Sequence, residues 1–255
     1  MTLAQFDLTG RHAMVTGGGS GLGLAIAEGL AGAGAALTLV GRDERKLARA
    51  IEALQTGRDR AGFIVRDLTD RTALDSLVPT AEAERGPIEI LVNNAGVQNR
   101  APVTEFPAED WDTMIATHLT APFLLAQRVV PGMMARRRGK IINTLSVMAE
   151  LGRPTIVPYT AAKGGLRMLT RGLATELGPH NIQVNGIAPG YFRTEMNEAL
   201  IANPEFDAWV RKRTPAARWG EPQELAGLAV LLASSAADYI SGQVIFVDGG
   251  LTASV

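Results

Sequence analysis

Tyr159 and Lys163 stand four residues apart in the run Pro-Tyr-Thr-Ala-Ala-Lys. On a helix this spacing puts both side chains on one face, close enough to interact. An ammonium beside a phenol favours the phenolate and lowers the Tyr pKa from about 10 towards the range where protons are exchanged. An arbitrary pair of this kind reads more simply as a half-buried Tyr with a solvated Lys neighbour. This pair has company. Thr16-Gly17-Gly18-Gly19-Ser20-Gly21-Leu22-Gly23 lies near the N-terminus, Asn93-Asn94-Ala95-Gly96 in the middle, Ser146 shortly before the Tyr, and Pro189-Gly190 after it.

Such residues must be held by regular elements, and the chain supplies them in alternation. Short apolar runs bounded by Gly, Asn or Asp predict strands at 13–16, 36–40, 62–66, 90–93, 140–145, 183–187 and 244–247. Helical spacing falls between them near 22–33, 43–56, 73–85, 108–136, 155–177 and 222–233. Strands alternating with helices argue for a parallel sheet covered on both faces. Runs such as Ile-Leu-Val and Ile-Phe-Val are apolar throughout, as doubly buried strands are. The expected fold class is therefore α/β: a single doubly wound Rossmann domain over 1–255, a parallel seven-stranded sheet with helices on both faces. Pro122 and Pro131 are expected to kink or divide the longest helix. The alternation lapses at 193–218, where Pro204 and Pro215 intervene, and a small lid is expected there.

Composition narrows the function classes. Lys+Arg 25 against Asp+Glu 26 leaves the chain nearly neutral, with no electrostatic case for nucleic acid or an anionic membrane. Zero Cys excludes a disulfide or a thiol nucleophile, and three scattered His residues make a poor metal site, so no metal is expected. The N-terminus has polar residues before Ala-Met-Val-Thr rather than the apolar stretch of a signal peptide. No run approaches the ~20 apolar residues of a membrane helix. A soluble, cytoplasmic protein is expected.

Ala-Met-Val-Thr reads as a strand, and the Gly-rich turn after it opens onto a helix near Leu22. Glycines let the backbone turn tightly and approach a pyrophosphate, while a helix N-terminus offers free N–H groups and a positive dipole end. Gly17, Ser20, Gly21, Leu22 and Gly23 are thus candidate dinucleotide-binding residues, in a spacing looser than the usual G-x-G-x-x-G. A Rossmann unit that binds NAD places an acid at the end of its second strand. Here the first charged residue is Arg42, whose fork of donors suits a 2′-phosphate. NADP(H) is therefore expected over NAD(H). Asp43 leaves this open, because a slightly different turn would put the acid in that place; Asp43 also suits the N-cap of the next helix.

Together the Gly-rich turn, the segment 93–96, Ser146, the Tyr159–Lys163 pair and Pro189-Gly190 resemble the short-chain dehydrogenase/reductase family over essentially the whole chain. The resemblance implies that Tyr159 is the general acid for ketone reduction and the base for alcohol oxidation. It implies that Ser146 hydrogen-bonds the substrate oxygen, and that Lys163 holds the nicotinamide ribose and lowers the Tyr pKa. It assigns Asp67 and Leu68 to the adenine, although from spacing alone Asp67 is equally a turn or cap residue. Asn94, Ala95 and Gly96 fall to the adenosine ribose, and Pro189, Gly190 and Thr194 to the nicotinamide end. A homotetramer is also implied.

One position departs from the family pattern. His118 stands in Ala-Thr-His-Leu-Thr-Ala-Pro-Phe where the family usually has an Asn that links the Lys to solvent through a water. Either the imidazole replaces that Asn in a proton relay and titrates near neutral pH, or it is a packed helical His and the relay is weakened or rerouted.

Within the family, several runs are similar to bacterial gluconate 5-dehydrogenases, which interconvert gluconate and 5-ketogluconate. They are Asn93-Asn94-Ala95-Gly96-Val97-Gln98, Glu150-Leu151-Gly152-Arg153, the segment 182–192, and Arg213-Thr214-Pro215-Ala216-Ala217-Arg218-Trp219-Gly220. Such a substrate needs a cation for its carboxylate, which Arg100 or Arg153 could supply, and polar groups for its hydroxyls, here Gln98 and Glu150. Either Arg is equally a surface or interface residue, and Met148 keeps a simpler ketone open. Two alternatives remain: a 3-oxoacyl-thioester reductase, for which Arg136-Arg137-Arg138 is the one basic run, and a catalytically silent dinucleotide sensor.

Overall fold

Seven strands line up in the order β3-β2-β1-β4-β5-β6-β7, every neighbouring pair parallel. They are β1 (His12–Thr16), β2 (Ala36–Gly41), β3 (Ala61–Val65), β4 (Ile88–Asn93), β5 (Gly139–Thr144), β6 (Ile182–Pro189) and β7 (Val244–Val247). The computed structural model describes residues 4–54 and 60–254; residues 55 and 56, the end of the predicted second helix, lie outside them. The connecting helices are α1 (Gly21–Gly32), α2 (Glu44–Leu54), α3 (Ala73–Arg85), α4 (Ala108–Ile115), α5 (Ala121–Arg136), α6 (Val157–Leu177), α7 (Glu198–Ile201), α8 (Pro204–Arg213) and α9 (Ala226–Ala233). The α/β reading of the sequence holds strand for strand.

The apolar strands have a direct physical reason. Side chains alternate between the two faces of a strand, and both faces here are covered. Val15, Val92 and Ile142 pack with Ile26 and Leu30 of α1 and Leu232 of α9. Their neighbours Met14, Leu91 and Ile141 pack on the opposite face with Leu74 and Leu77 of α3 and Leu125 and Val129 of α5. Each such buried side chain contributes roughly 1.5–3 kcal/mol.

One element differs from expectation. The predicted helix over 108–136 is divided, but ahead of the prolines. Ala116–Thr120 forms a turn of π-helix between α4 and α5, and Pro122 sits in the first turn of α5. Pro122 has no N–H to return to the His118 carbonyl, so the α-helical ladder is interrupted where His118 lies. Pro131 remains inside α5.

The strand order reverses beside β1, whose neighbours are β2 and β4. Open parallel sheets bind ligands at such a switch point, outside the carboxyl ends of the strands.

Candidate active site

A cleft of about 660 Å³ opens at that point. Its walls come from residues following β1 (Gly17, Ser20, Gly21, Leu22), β2 (Arg42), β4 (Asn94, Ala95, Gly96), β5 (Leu145, Ser146) and β6 (Gly190), with Tyr159 and Lys163 from α6.

The glycine turn is shaped by close approach. Gly17 takes φ +65, and its N–H donates to Val40 O at 2.7 Å. A Cβ on Gly23 would stand 2.2 Å from Gly17 O, so the first turn of α1 packs directly on the turn. Asn94 stitches β4 to the same loop: its Nδ2 donates to Thr16 O at 3.2 Å and Gly17 O at 3.3 Å, and its N–H to Thr16 Oγ1 at 2.9 Å. The cradle that results, with the N-terminus of α1 beneath it, fits a dinucleotide pyrophosphate. Gly23 serves the cradle by packing and does not line the cleft.

At the end of β2 the two charged residues have different surroundings. Asp43 accepts the Lys46 N–H at 3.0 Å, capping α2 from outside the cleft lining. Arg42 lines the cleft, 63% exposed, 3.9 Å from Asp67. Asp67, beside Arg42 at the mouth of the cleft, holds a turn by accepting from Thr69 N at 2.9 Å and Oγ1 at 2.8 Å, and the Leu68 side chain is buried in the core.

At the reaction end, Ser146 caps a short turn, accepting the Met148 N–H at 3.2 Å, and hydrogen-bonds Tyr159. The Lys163 ammonium donates to Thr144 O at 2.6 Å and lies 5.5 Å from the centre of the Tyr159 ring. The expected lowering of the Tyr159 pKa by Lys163 is not what the geometry gives. Burial holds the phenol above its ordinary value, opposed by the Ser146 hydrogen bond. Lys163, only 4% exposed, is itself pushed down by burial to about 7. One of the three ammonium donors is engaged by a backbone carbonyl, and both groups lose solvation together.

His118 is corrected in part as well. It is 3% exposed, and its Nε2 lies 2.8 Å from Val97 O and 3.1 Å from Val97 N. Burial first, then the charge of Lys163, depresses its pKa to about 3. Both causes act against titration near neutral pH. The ring stands edge-on to Tyr159 with centroids 5.2 Å apart, and its Cε1 fills the place where Gly96 would carry a Cβ. It packs the helix against the turn after β4.

Gln98, Arg100, Arg153, Pro189, Gly190 and Thr194 line the cleft as expected. Glu150 does not: its carboxylate pairs with Arg167 at 2.5 Å, away from the lining. The basic run at 136–138 is engaged at the opposite end of the sheet, Arg136 with Ile88 O, Arg137 with Pro179 O and Arg138 with Glu89. Among the described residues no metal-binding cluster of three His, Cys, Asp or Glu occurs. No helix among them is long and apolar enough to cross a membrane.

Several positioning residues escaped the sequence reading. Asn93 Nδ2 donates to Asn143 Oδ1 at 2.9 Å, and Asn143 Nδ2 to Thr170 Oγ1 at 2.9 Å. This buried polar ladder fixes α6, and with it Tyr159 and Lys163, against β4 and β5. An Asn following Ile141-Ile142 in a buried strand was the available signal. Lys46 of α2 pairs with Glu195, a residue of the cleft lining.

The comparisons with known proteins agree with this geometry. A family model described as enoyl-(acyl carrier protein) reductase matches residues 17–252. A gluconate 5-dehydrogenase of Gluconobacter oxydans is 48% identical over 98% of both chains. The chain is a short-chain dehydrogenase/reductase. This membership makes it an NAD(P)-dependent oxidoreductase, whose hydride chemistry belongs to the nicotinamide. Another member, the 5-keto-D-gluconate 5-reductase of Escherichia coli K12, is 47% identical over 98% of both chains. The solved gluconate 5-dehydrogenase of Burkholderia cenocepacia, in complex with NADP and tartrate, superposes with a TM-score of 0.93 at 47% identity, covering 98% of each chain.

Proposed function

We propose that this chain interconverts a sugar acid and its keto form with NADP(H), gluconate and 5-ketogluconate being the substrates its relatives' names suggest. The observation that carries the reading is Ser146, Tyr159 and Lys163 gathered beside a dinucleotide cradle whose far end presents Arg42. When bound, the nicotinamide supplies or accepts the hydride. The phenol of Tyr159, held protonated by burial, gives its proton to the oxygen of the reduced carbonyl. Ser146 donates to the same oxygen and opposes the build-up of charge there. Lys163, near 7, is poised to return a proton to Tyr159 and to hold the nicotinamide ribose.

Arg42 carries the cofactor preference by meeting the 2′-phosphate. Arg42→Ala should raise the KM for NADPH about tenfold and leave that for NADH nearly unchanged, since a charged hydrogen bond contributes ~1.5–3 kcal/mol, less at an exposed site. Equal effects on both cofactors would reject this role.

His118 is a positioning group rather than a proton carrier. With its pKa about 3 it contributes no step to a rate profile between pH 5 and 8. His118→Asn should therefore change kcat without reshaping that profile; loss of an inflection near neutrality would restore the relay.

The segment 193–218, with α7 and α8, acts as the lid over the substrate end. A homotetramer and a cytoplasmic setting complete the reading.

The deciding experiment follows NADPH at 340 nm with 5-ketogluconate, simple ketones and β-ketoesters. Rapid 5-ketogluconate reduction supports the proposal. Turnover confined to β-ketoesters would favour the acyl reductase, and cofactor binding without turnover the silent sensor.

A further inference from the structure

The last residues of the chain connect the lid to the reaction centre. After β7 ends at Val247 the chain turns over 248–254. Gly249 and Gly250 take φ +63 and +89, which glycine tolerates without strain. A Cβ on Gly249 would stand 2.8 Å from Thr214 Cγ2, and one on Gly250 3.0 Å from Pro215 Cγ. The turn thus lies directly against the segment that leaves α8, and the Ala216 N–H donates to Gly249 O at 3.0 Å. Asp248 fixes the shape of the turn by accepting from Gly250 N at 2.9 Å and Thr252 N at 2.8 Å.

The same turn also meets the residues around the reacting groups. Leu251, 2% exposed, is buried with Val147, Met148 and Ile156 in the cluster on which Tyr159 and Tyr191 pack. A Cβ on Gly190, a residue of the cleft lining, would stand 2.8 Å from Asp248 Cα. No residue of 248–254 lines the active-site cleft itself.

Arg213, the last residue of α8, ties the two ends together. Its Nη1 donates to Ser254 Oγ at 2.8 Å and its Nη2 to Ser254 O at 3.1 Å. Two donors of one planar fork on two acceptors of one residue set direction as well as distance. Beside this tether a cavity of about 90 Å³ opens between Tyr191 and Phe192 on one side and Ala216 and Gly249 on the other. Close packing does not by itself fix the root of the lid there.

We infer that Arg213 is a positioning residue for the reaction. Through Ser254 it seats Leu251 in the cluster that backs Tyr159 and Tyr191, and so sets where the lid stands relative to the proton donor. The inference rests on the roles given above to Tyr159 and to the lid, and on no particular substrate.

The full-length enzyme is assayed with NADPH and the ketone that the wild type reduces fastest. Arg213→Met should lower kcat/KM about tenfold, chiefly through the KM for the ketone, and leave the Kd for NADPH within about threefold. Arg213→Lys, which keeps the charge and loses the fork, should recover part of the loss. Leu251→Ala should give the same pattern, and the double variant should cost little more than the worse single one, because both changes act along one path. Trp219 reports on the lid directly: it is 1% exposed, and its Nε1 donates to Asp207 of α8 at 2.7 Å. Acrylamide quenching of tryptophan emission should increase in Arg213→Met. A variant with a lowered Tm but wild-type KM, kcat and quenching would make Arg213 a plain structural tether and overturn the inference. Losses that simply add in the double variant would overturn the path through Leu251. A wild-type enzyme that binds NADPH and reduces no ketone would overturn the catalytic reading above, and unchanged quenching in Arg213→Met would then overturn the tether separately.

Discussion

Replacing Tyr159 with Phe is expected to lower kcat for ketone reduction by about 10²–10⁴-fold, the usual contribution of a positioned acid. The ring stays, so its edge-on contact with His118 and its packing on the cluster of Val147, Met148, Ile156 and Leu251 are kept. Ser146 loses a partner but still accepts the Met148 N–H, so the turn it caps should survive. NADPH affinity, measured by fluorescence quenching, should therefore change little while turnover collapses. A variant within threefold of the wild-type kcat would show that the proton comes from elsewhere.

The second large effect belongs to Lys163, and it has two readouts. Lys163→Met should cost at least ~10²-fold in kcat, because the proton supply to Tyr159 and the donor for the ribose go together. It should also change how stability depends on pH. The folded pKa near 7 lies below the ordinary 10.5, so between those values the unfolded chain binds more protons than the folded one. Stability of the cofactor-free protein therefore rises with pH through that window, and the burial penalty is complete below about 7. Tyr159 acts in the opposite sense, but only once an unfolded phenol ionises, above about 10. Tm measured at pH 6.5, 8 and 9.5 should climb relative to the Met variant. Parallel Tm curves for the two proteins would mean that Lys163 is an ordinary ammonium and that its bond to Thr144 O fully offsets burial.

The two variants together divide the site's chemistry from its architecture. In the proposed mechanism Tyr159 gives its proton at the substrate, whereas Lys163 acts from behind it, held on a carbonyl of β5 that no sequence motif marks.

How much of this was legible in advance depends on the range of the interaction concerned. The seven strands and their alternation with helices follow from local patterns, because a strand buried on both faces must be apolar throughout and its boundaries fall at turn residues. The cradle was legible for the same reason, since a tight turn entering a helix demands glycine at particular positions. The Tyr159–Lys163 pair needed only helical periodicity. The break near His118 was half legible. Proline marked the region, but the π turn lies ahead of Pro122, where the missing N–H is felt.

Glu150 was placed by its neighbourhood in the chain, between Ser146 and Tyr159, and found a partner in space that the local sequence does not show: Arg167. His118 had two readings, a relay group because imidazole titrates near neutral pH in water or a packed helical residue, and only its burial beside Lys163 weighs between them.

The sequence by itself determined the fold, the glycine turn ahead of α1 and the nearness of Tyr159 to Lys163, since those depend on backbone conformation and periodicity within a few residues. Tertiary structure alone decided which carbonyl takes the Lys163 ammonium and which way the Tyr159 and His118 pKa values move. Those outcomes depend on desolvation and on contacts between groups tens of residues apart, and neither is set until the sheet has closed around them.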